Sequence, residues 1–185
     1  MNHRTASAIQ RLADIDARLF LALNGINRHV HLEKLIRAVS FSGDGYLYLC
    51  LAVIMPLMFP DTGITFLIAG LIAFLLELPV YWALKNAFKR RRPFHVVKAL
   101  APALKPSDEF SFPSGHTTAA FMVAALMSAF FPATAVLMYC WATLVGLSRV
   151  MLKVHFISDV LAGVVLGSTI AYLTLTGLLS ATVLG

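Results

Sequence analysis

Three short clusters carry side chains that could transfer a phosphoryl group. The last of them holds Ser148, Arg149, His155 and Asp159. His155 and Asp159 stand four residues apart, which makes them neighbours on one face of a helix. A carboxylate placed there can hold one ring nitrogen as N–H and leave the other as a nucleophile. The plainer reading is a structural His–Asp pair that caps a helix. The middle cluster is Phe112-Pro113-Ser114-Gly115-His116. Serine is a good N-cap, glycine lets backbone approach closely, and free N–H groups at a helix start attract anions. An ordinary capped helix would read the same way. The first cluster runs from Lys85 through Lys89, Arg90 and Arg91 to Arg92-Pro93. Lys85 and Arg92 are two helical turns apart and share a face if the helix continues, although Pro93 disfavours helix just before it. A basic anchor at a membrane surface would look alike.

Each cluster has an ordinary explanation, but the three together match one inventory. Phosphoryl transfer needs fixed cations and N–H donors for the oxygens, a nucleophile, and an acid for the leaving group. With the spacings K-x6-RP, PSGH and SR-x5-H-x3-D, the chain resembles the type-2 phosphatidic acid phosphatase family. The pattern runs from Lys85 to Asp159, about 40% of the chain. The resemblance implies a set of roles. His155 attacks phosphorus and forms a phosphohistidine, Asp159 orients it, and His116 protonates the leaving oxygen. Lys85, Arg92, Ser114, Gly115 and Arg149 hold the phosphate oxygens. It also implies no cofactor and no metal, in keeping with a sequence that lacks HExxH and dense carboxylate clusters. The implied substrates are phosphatidic acid, phosphatidylglycerophosphate, or undecaprenyl diphosphate and other prenyl phosphates. A branch of undecaprenyl diphosphatases carries aspartate at the position of Gly115, so PSGH leans towards the broader lipid phosphatases. Two other functions compete: a lipid-to-lipid phosphotransferase using the same site, and a non-catalytic membrane transporter or scaffold.

The elements that must position these residues are membrane helices. Of 185 residues, 59% are hydrophobic and 13% charged. Soluble domains average about 45–50% and about 25%. The net charge of +6 is gathered in short segments between apolar runs, which suits lipid headgroups or a phosphorylated substrate rather than nucleic acid. Apolar or nearly uncharged runs cover Tyr46–Pro60, Ile64–Leu84 and 117–148, and the stretch after Asp159. The third is too long for one crossing and is split by Pro132 into a hairpin. The first is short and borrows length from its flanks, while Pro79 predicts a kink in the second. In a bilayer such runs must be helical. The expectation is an all-α, polytopic bundle of about five transmembrane helices, preceded by amphipathic surface helices. One domain spans 1–185, with an amphipathic region at 1–42 and a transmembrane core at 46–182.

The amphipathic faces hold Leu12, Ile15, Leu19 and Leu23, then Leu32, Leu35, Ile36 and Val39. They fit either the membrane surface or packing against the bundle. Ser40–Gly45 reads as a break. No cleavable signal peptide is expected ahead of them. Five crossings place the three clusters on one face of a multi-pass cell (inner) membrane protein. The excess of Lys and Arg argues for a cytoplasmic face, whereas bacterial relatives often put the site outside, so the side stays open. Oligomeric state is not legible. Lys89, Arg90 and Arg91 are expected to attract headgroups, and His95, Asp108 and Glu109 to lie in a solvated loop. Glu77, inside a crossing, is a functional candidate by position but reads as a neutral or hydrogen-bonded helix contact. Cys50 and Cys140 read as buried packing thiols. His3, His29 and His31 suggest nothing specific.

Overall fold

The computed structural model describes residues 3–24, 30–96 and 108–184, with side chains described for 14–24, 31–96 and 108–180. His29 lies outside the described residues, as do the side chains of His3 and Leu12. The described residues form helices joined by short connections: α1 His3–Asn24, α2 Val30–Ser42, α3 Gly45–Met58, α4 Pro60–Phe88, α5 Pro93–Val96, α6 Gly115–Phe130, α7 Ala135–Met151 and α8 Ile157–Leu184. Three stretches are long and apolar enough to cross a membrane: Pro60–Val96, Pro132–Met151 and Ile157–Ser180. The helices α2 and α3 pass the same test only when taken together, with a bend of 51° at the predicted break, and would count as a fourth if the pair is one span. Proline is accommodated inside α4, which continues through Pro79 without interruption.

The shorter apolar helix α6 is the hub. It packs on α4, α7 and α8, and its buried face includes Thr117, Met122, Val123 and Leu126. Backbones come very close on the α8 side. A Cβ added to Gly167 would stand 2.2 Å from the Thr118 carbonyl oxygen, and one added to Gly163 would stand 2.8 Å from that of Ser114. This small-xxx-small stripe lets two membrane helices touch without intervening side chains. It ties the start of α6, which carries the PSGH cluster, to the start of α8, which carries Asp159.

The outer surface is apolar, with Leu57, Leu75 and Val136 each more than 70% exposed. Cys50 and Cys140 belong to that surface and are unpaired, so they are not the buried packing thiols expected. On α1, Asp16, Phe20 and Asn24 turn inward, and the Asn24 side-chain amide donates to the Val150 carbonyl at 3.1 Å. The leucine stripe of Ile15, Leu19 and Leu23 faces away, each residue more than 40% exposed. Of the two roles open for this stripe, the exposure of these three residues favours the membrane surface. An outward apolar stripe beside the basic segments suits a helix lying in the membrane surface.

Candidate active site

Five of the eight predicted site residues line one cavity of about 250 Å³: Arg92, Gly115, His116, Arg149 and His155. Phe74, Glu77, Tyr81 and Asp108 line it too. Lys85 binds the lining residues Tyr81 and Asp108, Ser114 adjoins Gly115, and Asp159 lies beside His155.

His155 sits in the short connection between α7 and α8. Its backbone N–H donates to the Arg149 carbonyl at 3.4 Å. The imidazole is 2% exposed, and Nδ1 lies 3.7 Å from Asp159 Oδ2, close enough for attraction but longer than a hydrogen bond. Burial is the largest influence on the ring and pushes its pKa down to about 4. The nearby Asp159 carboxylate opposes this, and Arg149 and Arg92 add to it. The ring is therefore neutral at pH 7. Asp159 is fully buried and held from two sides: Oδ2 accepts the Phe156 backbone N–H at 2.8 Å, and Oδ1 accepts from Arg90 Nη1 at 2.7 Å.

The cations reach the cavity by different routes. Helix α4 stops at Lys89, whose φ of 44 is left-handed, so Lys85 and Arg92 do not share a continuous helix. They converge because both bind the carboxylate of Asp108. Lys85 Nζ reaches Oδ2 at 2.5 Å, and Arg92 Nη2 meets Oδ1. Arg92 also donates to the carbonyls of Asp108 and Val154, at 3.1 and 2.8 Å. The Tyr81 hydroxyl donates to Asp108 Oδ2 at 2.9 Å and accepts from Lys85. Burial works to raise the Asp108 pKa. The hydrogen bond and charge of Lys85, then the charge of Arg92, outweigh it and hold the carboxyl below its usual range. Asp108 is thus not a solvated loop residue. Arg149 is different again. It is 6% exposed, Nη1 donates to Ser40 Oγ at 2.5 Å, and Nε has no partner among the described residues.

Ser114 caps α6 by position, yet its side chain makes no capping hydrogen bond. Its N–H donates to the Asp159 carbonyl at 3.0 Å, and its hydroxyl accepts from Thr117 at 2.9 Å. The N–H groups of this helix start therefore remain open to an anion. A Cβ on Gly115 would lie 3.1 Å from the Tyr81 ring, so any side chain there presses on the residue that holds Asp108. His116 Nε2 lies 2.6 Å from Asp44 Oδ1, a partner at the N-cap of α3 that the sequence did not single out.

The PAP2 superfamily model matches residues 45–181. The chain belongs to that superfamily. A decaprenylphosphoryl-5-phosphoribose phosphatase of Mycobacterium tuberculosis is 34% identical over 137 residues, which are 72% of this chain and 73% of that protein. The crystal structure of Aquifex aeolicus LpxE superposes with a TM-score of 0.76 at 26% identity, over 86% of this chain and 93% of that one. A transmembrane PAP2 type phosphatidylglycerolphosphate phosphatase from Bacillus subtilis gives 0.72 at 29%, over 91% and 88%. This PAP2 chain is accordingly an integral membrane phosphatase of a lipid phosphatase family.

One member of its basic run does more than attract headgroups. Arg90 Nη1 holds Asp159, and Nη2 holds Asp16 of α1 at 2.6 Å. Its guanidinium also donates to Ser158 Oγ and lies over the Phe156 ring, 4.4 Å from the centroid. Removing one partner of a buried ion pair leaves an uncompensated charge. Arg90→Ala strands two buried carboxylates and is expected to cost roughly 3 kcal/mol or more. Thermal unfolding in detergent, followed by helical circular dichroism, measures it. Arg90→Lys should recover only part, because one ammonium lacks the fork that spans Asp16 and Asp159.

Proposed function

We propose that this chain hydrolyses a lipid phosphate through a phosphohistidine formed on His155. The observation that carries the reading is Arg149. It is a buried guanidinium that forms no ion pair with any described carboxylate and faces the cavity beside His155. A buried charge is costly without a counter-ion. A substrate phosphate in that cavity supplies one.

The neutral imidazole of His155 attacks phosphorus with the nitrogen opposite Nδ1. The N–P bond forms as the bond to the lipid oxygen breaks, and His116 gives that oxygen its proton. Burial and the Arg149 charge disfavour a protonated His116, so Asp44, 2.6 Å from its Nε2, and the arriving phosphate must stabilise that charge before the transfer. Asp159 draws in Nδ1–H as positive charge builds on the ring, and the 3.7 Å gap has room to shorten. His116 then takes a proton from water, whose oxygen attacks phosphorus. The N–P bond breaks, releasing inorganic phosphate and restoring His155. Lys85, Arg92, Arg149 and the α6 start, with Ser114 and Gly115, hold the phosphate oxygens. Asp108 now occupies Lys85 and Arg92, so a bound phosphate competes with it for both.

A second, apolar cavity of about 360 Å³ lies between α3, α4 and α6 and shares Phe74 with the first. It suits the chain of a lipid. Residues 1–42 and the core act as one unit, a reading supported by the Arg90 links to Asp16 and Asp159. The site opens at one boundary of the cell (inner) membrane.

A detergent assay with chelator tests this reading. It measures phosphate released from phosphatidic acid, phosphatidylglycerophosphate and undecaprenyl diphosphate. At least one should be hydrolysed at the same rate with and without the chelator. Folded protein that releases phosphate from none of the three defeats the proposal.

A further inference from the structure

Glu77 is left over once the phosphate site is assigned. It lies inside α4, is 4% exposed, and lines the cavity that holds His155. Among the described residues no hydrogen bond or ion pair engages its carboxyl. An ionisable group within a membrane span faces a partner or a function. Here the cavity beside it is the substrate cavity.

Depth decides what it would meet. Glu77, Tyr81 and Lys85 follow one another at four-residue steps on one face of α4. Eight residues separate Glu77 from Lys85, a rise of about 12 Å. The cations Lys85, Arg92 and Arg149 draw the phosphate to their own end. A carboxyl beside the phosphate would oppose its charge, so Glu77 faces what hangs from it. One turn deeper, Phe74 lines both this cavity and the apolar one. A lipid with its phosphorus at His155 and its chain in the apolar cavity passes Glu77 with the few atoms that join them.

We propose that Glu77 forms a polar subsite for a hydroxyl on the leaving group. The enzyme thereby selects hydroxylated glycerol- or sugar-linked lipid phosphates over prenyl phosphates. The proposal rests on the phosphatase reading above. A hydroxyl suits either state of the side chain, because it donates to a carboxylate and accepts from a carboxylic acid. A prenyl chain offers neither. Without the hydroxyl, a desolvated carboxyl is left unpaired, and that is where discrimination between analogues is largest.

The test uses two probes of equal chain length: a 1-O-alkylglycerol 3-phosphate and the 3-alkoxypropyl phosphate that lacks only its hydroxyl. The parent should prefer the first in kcat/KM by about tenfold or more. Glu77→Leu should bring the ratio to within about twofold of unity. Glu77→Gln still offers a hydrogen bond and should keep part of the preference. Leucine suits an apolar span, and helical circular dichroism checks that both variants fold. A parent ratio near one overturns the proposal. So does a ratio unchanged in Glu77→Leu, or the loss of both activities in both variants. His155→Ala is assayed alongside. Phosphate release at the parent rate there defeats the phosphatase reading itself. An inactive His155→Ala with an unchanged ratio in Glu77→Leu defeats only the subsite.

Discussion

His155→Ala is expected to lower phosphate release by about 10⁴-fold or more, the scale seen when a nucleophile is removed from a cooperating set. The fold should survive. The ring makes no side-chain hydrogen bond, since Nδ1 has no partner within bonding distance among the described residues, and only the backbone N–H ties residue 155 to Arg149. Helical circular dichroism and elution in detergent should match the parent. A second readout needs no substrate. Isotope-labelled histidine can be titrated by NMR, and the curve that disappears in His155→Ala belongs to this ring. Its midpoint should lie near 4, because burial disfavours the imidazolium more than Asp159 favours it. The sign matters. A histidine at its ordinary pKa of about 6.5 would be largely protonated at pH 5 and unable to attack. This one should stay neutral and nucleophilic there, and lose the lone pair only as pH falls through 4. Turnover at the parent rate in the alanine variant would place the nucleophile elsewhere, and a midpoint near 6.5 would mean that burial does not govern this ring.

The division between what the sequence disclosed and what it hid follows from range. Glu77, Tyr81 and Lys85 are set by helical register, so their neighbourhood could be read directly. His155 was expected on one helical face with Asp159, but it lies in the connection before α8 and meets Asp159 from there. The helices themselves were legible from apolar runs, and the hairpin from Pro132. The partners that finish the site are long-range. Asp44 meets His116 across 72 residues, and Asp16 meets Arg90 across 74. No periodicity predicts such pairs. Asp108 read as a solvated loop residue and Arg90 as a headgroup-attracting charge because nothing local marks a residue as bridging. The convergence of Lys85 and Arg92 was anticipated by way of a continuing helix. It arises instead from a helix stop at Lys89 and a shared carboxylate. The cysteines show a limit particular to membranes. Apolar surroundings can be protein or lipid, and an apolar run does not tell the two apart, so Cys50 and Cys140 were assigned inward and face outward.

Arg149 should show opposite effects on activity and stability. Arg149→Lys keeps a charge but replaces a planar fork with a flexible ammonium, and is expected to lower kcat by about 10³-fold, as when an arginine stabilising a phosphoryl transition state is lost. Arg149→Met removes the charge and should be at least as inactive. Its effect on the fold separates a substrate-binding arginine from a structural one. The guanidinium is buried, forms no ion pair among the described residues, and keeps Nε without a partner. Among the described residues its side chain makes one hydrogen bond, to Ser40. A structural arginine would be tied into carboxylates, as Arg90 is to Asp16 and Asp159. Replacing an uncompensated buried charge with an apolar side chain of similar length is neutral or stabilising. The unfolding midpoint of Arg149→Met in detergent should therefore equal or exceed that of the parent, while Arg90→Ala falls below it. Inorganic phosphate should raise the parent's midpoint by binding the folded state, and should do so far less in Arg149→Met. A methionine variant that unfolds earlier than the parent would make Arg149 a structural strut and remove the counter-ion argument on which phosphate binding rests.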